Sequence, residues 1–319
     1  MQVAQTEFIW PEETKLRSYN PIYSGHPGQI KRAAKLITEA KKPIIYAGGG
    51  VITSGASLEL LELAEKTGCP VTWTLMGIGG FPSKHKQSLG MLGMHGTAYA
   101  NHSIMDADLI IALGARFDDR VTGRLDVFAP DAKVIHVDID PSSISKNVHV
   151  DVPIVGDLRQ VLVELLREIK HGPSIEEWLK HVEALKKKYP MGYKDKGKDK
   201  IPPQYVIQQI EEVTRGEAII CTEVGQHQMW AAQWYNYSKP RTFISSGGLG
   251  TMGFGFPASI GAKLGRPEKI VFNVAGDGSI QMNIQELGTC VANKINVKDR
   301  KSTRLNSSHI QKSRMPSSA

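Results

Sequence analysis

Residues 271–279 (VFNVAGDGS) place one carboxylate, Asp277, in a glycine-rich turn directly after an apolar run. An Asp-Gly pair often forms a hairpin turn, but a hairpin requires an alternating strand after it. Instead, the apolar residues that follow recur at helical spacing: Ile280, Ile284, Leu287, Val291 and Ile295. The segment therefore predicts a strand, a glycine turn and a helix, a geometry that presents backbone N–H groups to a phosphate.

A carboxylate in such a turn suits a hard cation. Asp277 could bind Mg²⁺, which would bridge and neutralise a diphosphate that backbone amides alone do not satisfy. Taken alone, the same residues are equally compatible with a strand-to-helix turn that binds nothing.

Two further segments combine glycines with polar or bulky side chains: residues 222–230 (TEVGQHQMW) and 245–262 (SSGGLGTMGFGFPASIGA). Six glycines between Gly247 and Gly261 would let the backbone approach a ligand closely. From the residues alone, we interpret the second segment as a flexible loop and His227 as a surface or capping histidine, and Met252 also fits a core methionine.

The first half of the chain has its own glycine-rich and charged segments. Gly48–Gly50 follow an apolar run, but Thr53 stands where a nicotinamide fingerprint needs its third glycine and no acid ends the next run at Thr74. Residues 116–120 (RFDDR) carry two planar guanidinium groups suited to phosphate or carboxylate, although a solvated ion-pair cluster is an alternative. The pattern argues against an ordinary nicotinamide site.

The elements that must position these residues alternate between apolar runs and helices. Runs begin at Pro43, Pro70, Ala107, Lys133 and Pro153, and the pattern resumes from Pro203 after a lysine-rich stretch. This alternation predicts an α/β fold with two doubly wound parallel-sheet domains, whose ligands bind beyond the carboxyl ends of the strands.

We predict these boundaries: an extended lead-in over residues 1–27, a central domain over 28–172, a helix and linker over 173–202 and a second, partial domain over 203–298. Residues 299–319 lose all periodicity and are rich in Ser, Lys and Arg, so we expect a disordered, artefact-like tail.

Composition excludes several function classes. Residues 186–200 hold seven lysines and two aspartates and the tail holds five basic residues and one acid, so these two segments carry more positive charge than the chain's net +7 and the remainder is slightly acidic. The rest of the chain has no basic stripe for nucleic acid. Cys69, Cys221 and Cys290 show no paired spacing, which predicts a reducing compartment, and no apolar run is long enough to span a membrane.

Several motifs together resemble one family. The GDGS of residues 276–279, TEVGQHQMW and GLGTMGFG are similar to the thiamine-diphosphate-binding segments of acetolactate synthase catalytic subunits. AGGG, TLMG, MLGMHG and GARFDDRVTG, all in the first half, resemble the flavin-binding domain of the same family. The resemblance implies three cofactors: thiamine diphosphate, Mg²⁺ and FAD.

The resemblance also implies roles for individual residues. Thiamine diphosphate would contact residues of the second domain: Val224, Gly225, Gln226, His227, Gln228, Gly250, Met252, Gly276, Asp277, Gly278 and Ser279, with Asp277 also a ligand of Mg²⁺. FAD would contact residues mostly of the first domain: Gly48, Gly49, Gly50, Thr74, Leu75, Met76, Leu92, Gly93, Met94, His95, Gly96, Gly114, Ala115, Arg116, Asp118, Val121, Asp138, Ile139, Asp157, Gly247 and Gly248. Met252 would hold the bent cofactor, and Arg120 would hold the substrate carboxylate.

The implied reaction joins pyruvate to a second 2-keto acid with loss of carbon dioxide, a step of branched-chain amino-acid biosynthesis. The family's activating glutamate would precede Met1 and its remaining Mg²⁺ ligands would follow Lys298, so we expect this polypeptide alone to be inactive. The implied partners are a second copy with shared active sites and a small regulatory subunit, in the bacterial cytoplasm or an organellar stroma or matrix. Alternatives are a pyruvate oxidase, a glyoxylate carboligase and a non-catalytic nucleotide-binding module.

Overall fold

A computed structural model of the chain describes residues 5, 7–10, 12, 21–194 and 201–302. Its first unit, residues 27–188, is built on a sheet of six parallel strands in the order β3-β2-β1-β4-β5-β6. These strands are β1 Pro43–Ala47, β2 Val71–Trp73, β3 Ser88–Met91, β4 Leu109–Leu113, β5 Lys133–Asp138 and β6 Val152–Val155.

Helices cover both faces of this sheet. They are α1 Pro27–Glu39, α2 Gly49–Thr53, α3 Ser57–Thr67, α4 Ala98–Met105, α5 Asp119–Thr122, α6 Leu158–Glu168 and α7 Glu176–Lys188. Successive residues of a strand point to opposite faces, so Ile45 packs with the core that includes α1, α3 and α6. Ile44 and Tyr46 pack with the other core, which includes α4 and α7.

Helix α7 belongs with the first unit although we predicted residues 173–202 to be a separate helix and linker. Its Trp178 is buried, and the indole Nε1 donates a hydrogen bond of 2.9 Å to the backbone oxygen of Pro43. The helix therefore completes the core of the first sheet. Part of the predicted linker, residues 195–200, lies outside the described residues.

The second unit, residues 203–302, is a sheet of four parallel strands in the order β10-β9-β7-β8. The strands are β7 Ile219–Thr222, β8 Phe243–Ser245, β9 Val271–Gly276 and β10 Lys298–Ser302, and the helices are α8 Pro203–Thr214, α9 Gln226–Trp234, α10 Gly255–Gly265, α11 Asp277–Met282 and α12 Glu286–Ala292. Helices again pack on both faces. Two parallel α/β units confirm the predicted fold class.

Several local predictions need correction. Residues 299–302 belong to β10 and pair with β9, whereas we predicted a disordered tail from residue 299; residues 303–319 lie outside the described residues. The buried face of α3 is formed by Leu60, Leu63, Ala64 and Thr67, and Leu58 is exposed. Strand β3, whose four residues include two half-exposed ones, had no apolar run to reveal it.

The helix predicted after Asp277 is interrupted. It forms α11 and α12, separated by residues 283–285, and the predicted face is buried at Ile280 but exposed at Val291. The side-chain amide of Asn283 donates to the backbone oxygen of Gly253, a contact outside the helix.

The two units contact each other directly. The Ser83 hydroxyl is hydrogen-bonded to the backbone of Tyr237, and Lys84 forms an ion pair with Glu211 at 2.6 Å. A β-carbon at Gly79 would lie 2.5 Å from the backbone oxygen of Lys239, so the backbones touch there as well. None of the helices in the described part of the chain combines the length and apolar character that a bilayer crossing needs.

Candidate functional site

A cavity of about 990 Å³ lies beyond the carboxyl ends of β1, β4 and β5, with walls from both units. Its position is the one expected for ligands of doubly wound sheets, and its volume suits a large ligand. Twenty residues singled out from the sequence lie in its walls: Gly48, Gly49, Gly50, Thr74, Leu75, Met76, Leu92, Met94, His95, Gly114, Ala115, Arg116, Asp118, Arg120, Val121, Asp138, Ile139, Asp157, Gly247 and Gly248. The fold therefore brings these segments together, and FAD binding by them stays a prediction.

Two predicted contacts, Gly93 and Gly96, are not among the residues that line the cavity. The Gly93 N–H donates to the side-chain oxygen of Asn101 at 2.9 Å, and the Asn101 amide donates back to the Gly93 carbonyl at 3.0 Å. These bonds shape the loop that carries Met94 and His95. Gly93 therefore serves the fold of that loop in this structure.

Sequence reasoning missed seven residues of the cavity wall: Tyr46, Thr53, Ser54, Met91, Asp119, Leu158 and Met229. Met229 lies on α9, within the segment 222–230 that the sequence singled out. Tyr46 lies on β1, two residues before the glycines. Its position at the end of an apolar strand could have identified it as a residue of the ligand-binding edge.

Close contact between two loops explains why glycine occupies positions 48 and 114. A β-carbon at Gly48 would lie 2.1 Å from the backbone oxygen of Gly114, which itself has a φ of +59°. No side chain fits at that distance, so glycine at Gly48 is required by backbone packing alone. Both glycines line the cavity, so the two loops in contact form part of its wall.

The charged loop at residues 116–120 forms part of the cavity wall and contains one residue with a left-handed backbone conformation. Phe117 has a φ of +54°, and its ring packs against Tyr46, Phe128 and His136. The buried ring anchors the loop, so Arg116 and Asp118 on either side reach the cavity wall, where their side chains are 2.8 Å apart. Arg120 lies 3.8 Å from Asp119 and is largely exposed, free to meet a carboxylate.

A second constellation forms in the second unit around Glu223, which sequence reasoning missed. This carboxylate is fully buried, and its two oxygens accept backbone N–H groups of Gly253 at 2.7 Å and Phe256 at 2.9 Å. Two backbone donors therefore satisfy both oxygens of this buried side chain. Glu223 thereby joins the segment after β7 to the glycine-rich segment that contains Met252.

The turn with Asp277 lies against the same two segments. A β-carbon at Gly278 would be 3.4 Å from the terminal methyl of Met252, and the Ser279 hydroxyl is 3.5 Å from the backbone oxygen of Val224. Gly250 has a φ of +65°, which favours glycine there. Three segments predicted to surround one cofactor are therefore neighbours in space.

His227 contributes a buried imidazole to this constellation. Burial lowers its pKa to about 4, opposed by a hydrogen bond with the Glu223 backbone and by the charge of Asp277. Its Nε2 has no hydrogen-bond partner although the residue is buried. Because an unsatisfied buried polar atom is costly, the neutral imidazole is suited to a polar ligand atom.

The remaining polar residues of this segment are used differently. The side-chain amide of Gln228 donates to the Ser245 hydroxyl at 2.6 Å, and Thr222 donates to the same hydroxyl at 2.7 Å. Gln228 is buried, so its amide ties β8 to α9. The Gln228 amide thus has a structural function in this structure, and its predicted contact with a cofactor stays a prediction.

Asp277 is the metal candidate. One of its carboxylate oxygens accepts the Gly278 N–H at 3.0 Å. Among the described residues no group of three or more His, Cys, Asp and Glu side chains is arranged to hold a metal ion. A cation at Asp277 would therefore complete its shell with other oxygen donors, as Mg²⁺ commonly does with water and phosphate.

Comparison with known proteins gives two matches to domain families. Residues 30–165 match the thiamine pyrophosphate enzyme central domain, and residues 223–298 match the C-terminal thiamine-pyrophosphate-binding domain. The first match covers the six-stranded unit, and the second covers the constellation around Glu223, Met252 and Asp277.

Individual relatives are similar over most of the chain. An acetolactate synthase of Mycobacterium leprae is 52% identical over 291 residues, which are 90% of this chain and 47% of that protein. An acetolactate synthase large subunit of Buchnera aphidicola is 53% identical over 88% of this chain and 50% of that protein. The isozyme 3 large subunit of Escherichia coli is 51% identical over 89% and 50%. The chain spans about half the length of these curated relatives.

Proposed function

Because this chain belongs to the thiamine pyrophosphate enzymes and is homologous to acetolactate synthase large subunits, we propose that the whole protein condenses pyruvate with a second 2-keto acid. Two pyruvate molecules would yield 2-acetolactate and carbon dioxide, and pyruvate with 2-ketobutyrate would yield 2-aceto-2-hydroxybutyrate and carbon dioxide. The observation that carries the proposal is the proximity of the Asp277 turn, Met252 and the unpartnered Nε2 of His227.

The residues present fit thiamine diphosphate with Mg²⁺. Asp277 offers a carboxylate oxygen at the start of a glycine turn, and His227 offers a buried ring nitrogen beside it. When bound, the cofactor supplies the carbanion chemistry that breaks the bond between the carboxyl and keto carbons of a 2-keto acid. The protein would bind and orient that cofactor and exclude water from it.

Glu223 positions the segment that would support the thiazolium ring. Its two hydrogen bonds fix the backbone at Gly253 and Phe256, on the carboxyl side of Met252. Met252 is thus held against Gly278, where its side chain would contact the cofactor. His227 stays neutral near pH 7 because its pKa is about 4, so it would act as a hydrogen-bonding group without net charge.

We propose that the cavity between the two units binds FAD in a structural role. Gly247 and Gly248 from the second unit face residues of the first, so one dinucleotide would bridge the units. A β-carbon at Gly248 would meet nothing within 4 Å, which leaves room beside the backbone for a ligand. Arg120, at the same wall, is the proposed partner of the substrate carboxylate.

We also propose partners for the whole protein. Some similar proteins are named large subunits, which supports a separate small regulatory subunit here. The proposed activating glutamate is carried by another copy, so the protein would act as a dimer or a larger assembly with shared active sites.

The test is product analysis with the full-length protein. Thiamine diphosphate, Mg²⁺ and FAD are titrated, and the product formed from pyruvate is identified. We expect acetolactate with the wild type and none with Asp277→Ala. Acetyl phosphate formed from pyruvate in the presence of phosphate and oxygen would indicate an oxidase instead, and tartronate semialdehyde formed from added glyoxylate would indicate a glyoxylate carboligase. Flavin uptake without any response to thiamine diphosphate and Mg²⁺ would contradict the proposal and favour a nucleotide-binding module.

A further inference from the structure

Tyr46 is a buried polar residue in the wall of the large cavity that no part of the proposed chemistry uses. Its side chain is fully buried, and its hydroxyl has no hydrogen-bond partner. Leaving a buried hydroxyl unpaired costs free energy, so such atoms in native proteins call for an explanation. The position of Tyr46 two residues before Gly48 places it at the carboxyl end of β1, where ligands of this fold bind.

The Tyr46 ring is held in place by its neighbours. Its centroid lies 5.4 Å from that of Phe117, whose ring in turn contacts Phe128 and His136. Strand register aligns Tyr46 with Ala112 on β4 and Ala112 with His136 on β5, so a small side chain lies between the two larger ones. The hydroxyl is therefore fixed in position before any ligand arrives, which lowers the entropy cost of binding.

The surroundings of Tyr46 connect it with the charged loop of the cavity. Burial raises the pKa of the Tyr46 hydroxyl, the charge of Asp118 raises it further and Arg116 lowers it. The hydroxyl thus stays protonated at physiological pH and is able to donate as well as accept a hydrogen bond. Both charged neighbours lie in the same cavity wall.

We propose that the Tyr46 hydroxyl is a further binding group of the cavity and makes one hydrogen bond to the bound flavin dinucleotide. The inference rests on the proposed FAD site and adds to it a residue that the family resemblance did not supply. Without the ligand, the unpaired hydroxyl lowers the stability of the folded protein. With the ligand bound, the hydroxyl gains a hydrogen-bond partner.

The two roles of the hydroxyl predict effects of opposite sign for Tyr46→Phe, which removes one oxygen and keeps the ring. We expect the melting temperature of the flavin-free full-length protein to be unchanged or raised, because an unpaired polar atom is lost. We expect the Kd for FAD, measured by quenching of flavin fluorescence, to rise about 3- to 10-fold, as for one neutral hydrogen bond.

Tyr237→Phe is the matched control. Tyr237 is equally buried, but its hydroxyl donates to the backbone oxygen of Ala231 at 3.0 Å and does not line the cavity. This variant should melt at a lower temperature and bind FAD with unchanged Kd. Comparing the two variants therefore distinguishes the effect of losing a hydroxyl that is already paired within the protein from the effect of losing a hydroxyl that binds the ligand.

Three results would overturn the inference. An unchanged FAD Kd in Tyr46→Phe would show that the hydroxyl does not touch the ligand. A fall in the melting temperature of flavin-free Tyr46→Phe as large as that of Tyr237→Phe would show that water or protein already satisfies it. A wild-type protein that takes up no FAD would contradict the proposed flavin site itself, and the inference with it.

Discussion

The hydroxyl of Ser83 accepts a hydrogen bond from the backbone N–H of Tyr237 at 3.1 Å and donates one to the backbone oxygen of the same residue at 2.9 Å. A third bond joins the two backbones, from the Ser83 N–H to the Tyr237 oxygen at 3.0 Å. One side chain of the first unit thus forms hydrogen bonds with the backbone N–H and oxygen of a residue in the second unit. The large cavity also has walls from both units.

Ser83→Ala should weaken the contact between the units. The substitution leaves the Tyr237 N–H unpaired at a part-buried site, which costs about 1–2 kcal/mol of unfolding free energy. We expect the FAD Kd to rise about 2- to 5-fold, because Met229, Gly247 and Gly248 would be held less firmly against the first unit. Thermal unfolding and flavin titration measure the two effects.

The control is Ser103→Ala, which removes a hydroxyl bonded inside α4 to the Tyr99 backbone oxygen. That variant should lose stability without a change in FAD affinity. Equal FAD affinity in wild type and Ser83→Ala would show that the contact does not shape the cavity.

Glu223→Gln should reduce thiamine-diphosphate affinity. The glutamine amide would place N–H groups against the N–H of Gly253 or Phe256, so one hydrogen bond is lost and a repulsion replaces it. The cost is about 1.5–3 kcal/mol, and we expect the cofactor Kd to rise at least 10-fold as Met252 shifts. Calorimetric titration with thiamine diphosphate and Mg²⁺ measures this.

Glu183→Gln provides the comparison, because Glu183 is more than half exposed and pairs with Lys186 at the surface. Its affinity for the cofactor should equal that of the wild type. Wild-type affinity in Glu223→Gln would mean that the two segments do not depend on this carboxylate.

Gly48→Ala should strongly destabilise the first unit. The added methyl would lie 2.1 Å from the Gly114 oxygen, and only movement of one backbone loop could relieve that contact. We expect a loss of about 3 kcal/mol or more in unfolding free energy, measured by urea denaturation. Gly248→Ala adds its methyl where nothing lies within 4 Å, so its stability should stay within about 0.5 kcal/mol of wild type. Similar stability of the two variants would contradict the packing argument.

His227 should make stability depend on pH. Its folded pKa of about 4 lies below the ordinary value of 6.5, so between these values the unfolded chain binds a proton that the folded chain does not. The stabilisation is present in full above pH 6.5 and is lost progressively as the pH falls to 4, by on the order of 3 kcal/mol. Unfolding free energies measured from pH 4 to 8 give the slope.

In His227→Gln this contribution to the slope should disappear. His181→Gln should keep it, since His181 is half exposed and pairs with Asp106 at the surface. If both variants retained the wild-type slope, the buried imidazole would not be its source.

Arg120→Lys should raise the KM for pyruvate in the full-length protein while kcat changes little. Lysine keeps the charge but lacks the planar fork that binds a carboxylate through two parallel bonds, which is worth about 1–2 kcal/mol, or 5- to 30-fold in KM. Arg124→Lys, whose guanidinium pairs with Asp126 on the surface, is the matched control and should match the wild type. An unchanged KM in Arg120→Lys would remove Arg120 from the substrate site.

Much of the fold could be predicted from the sequence because its signals are local. Fully buried parallel strands such as β1 and β4 appear as continuous apolar runs, and the α1 face Ile30, Ala33, Ala34 and Ile37 appears as helical spacing. The strand, turn and helix around Asp277 were likewise readable, since glycine and aspartate mark the turn whatever surrounds it.

The tertiary structure alone decided which polar groups are paired and which are left without a partner. The sequence marks β1 as a buried strand, but it does not show that the Tyr46 hydroxyl has no partner. Nor does it show that the Glu223 carboxylate accepts hydrogen bonds from backbone more than 25 residues away. Partners so far apart in sequence are set by strand register and by contact between the two units. Local composition therefore specified the elements, and long-range packing specified the chemistry available between them.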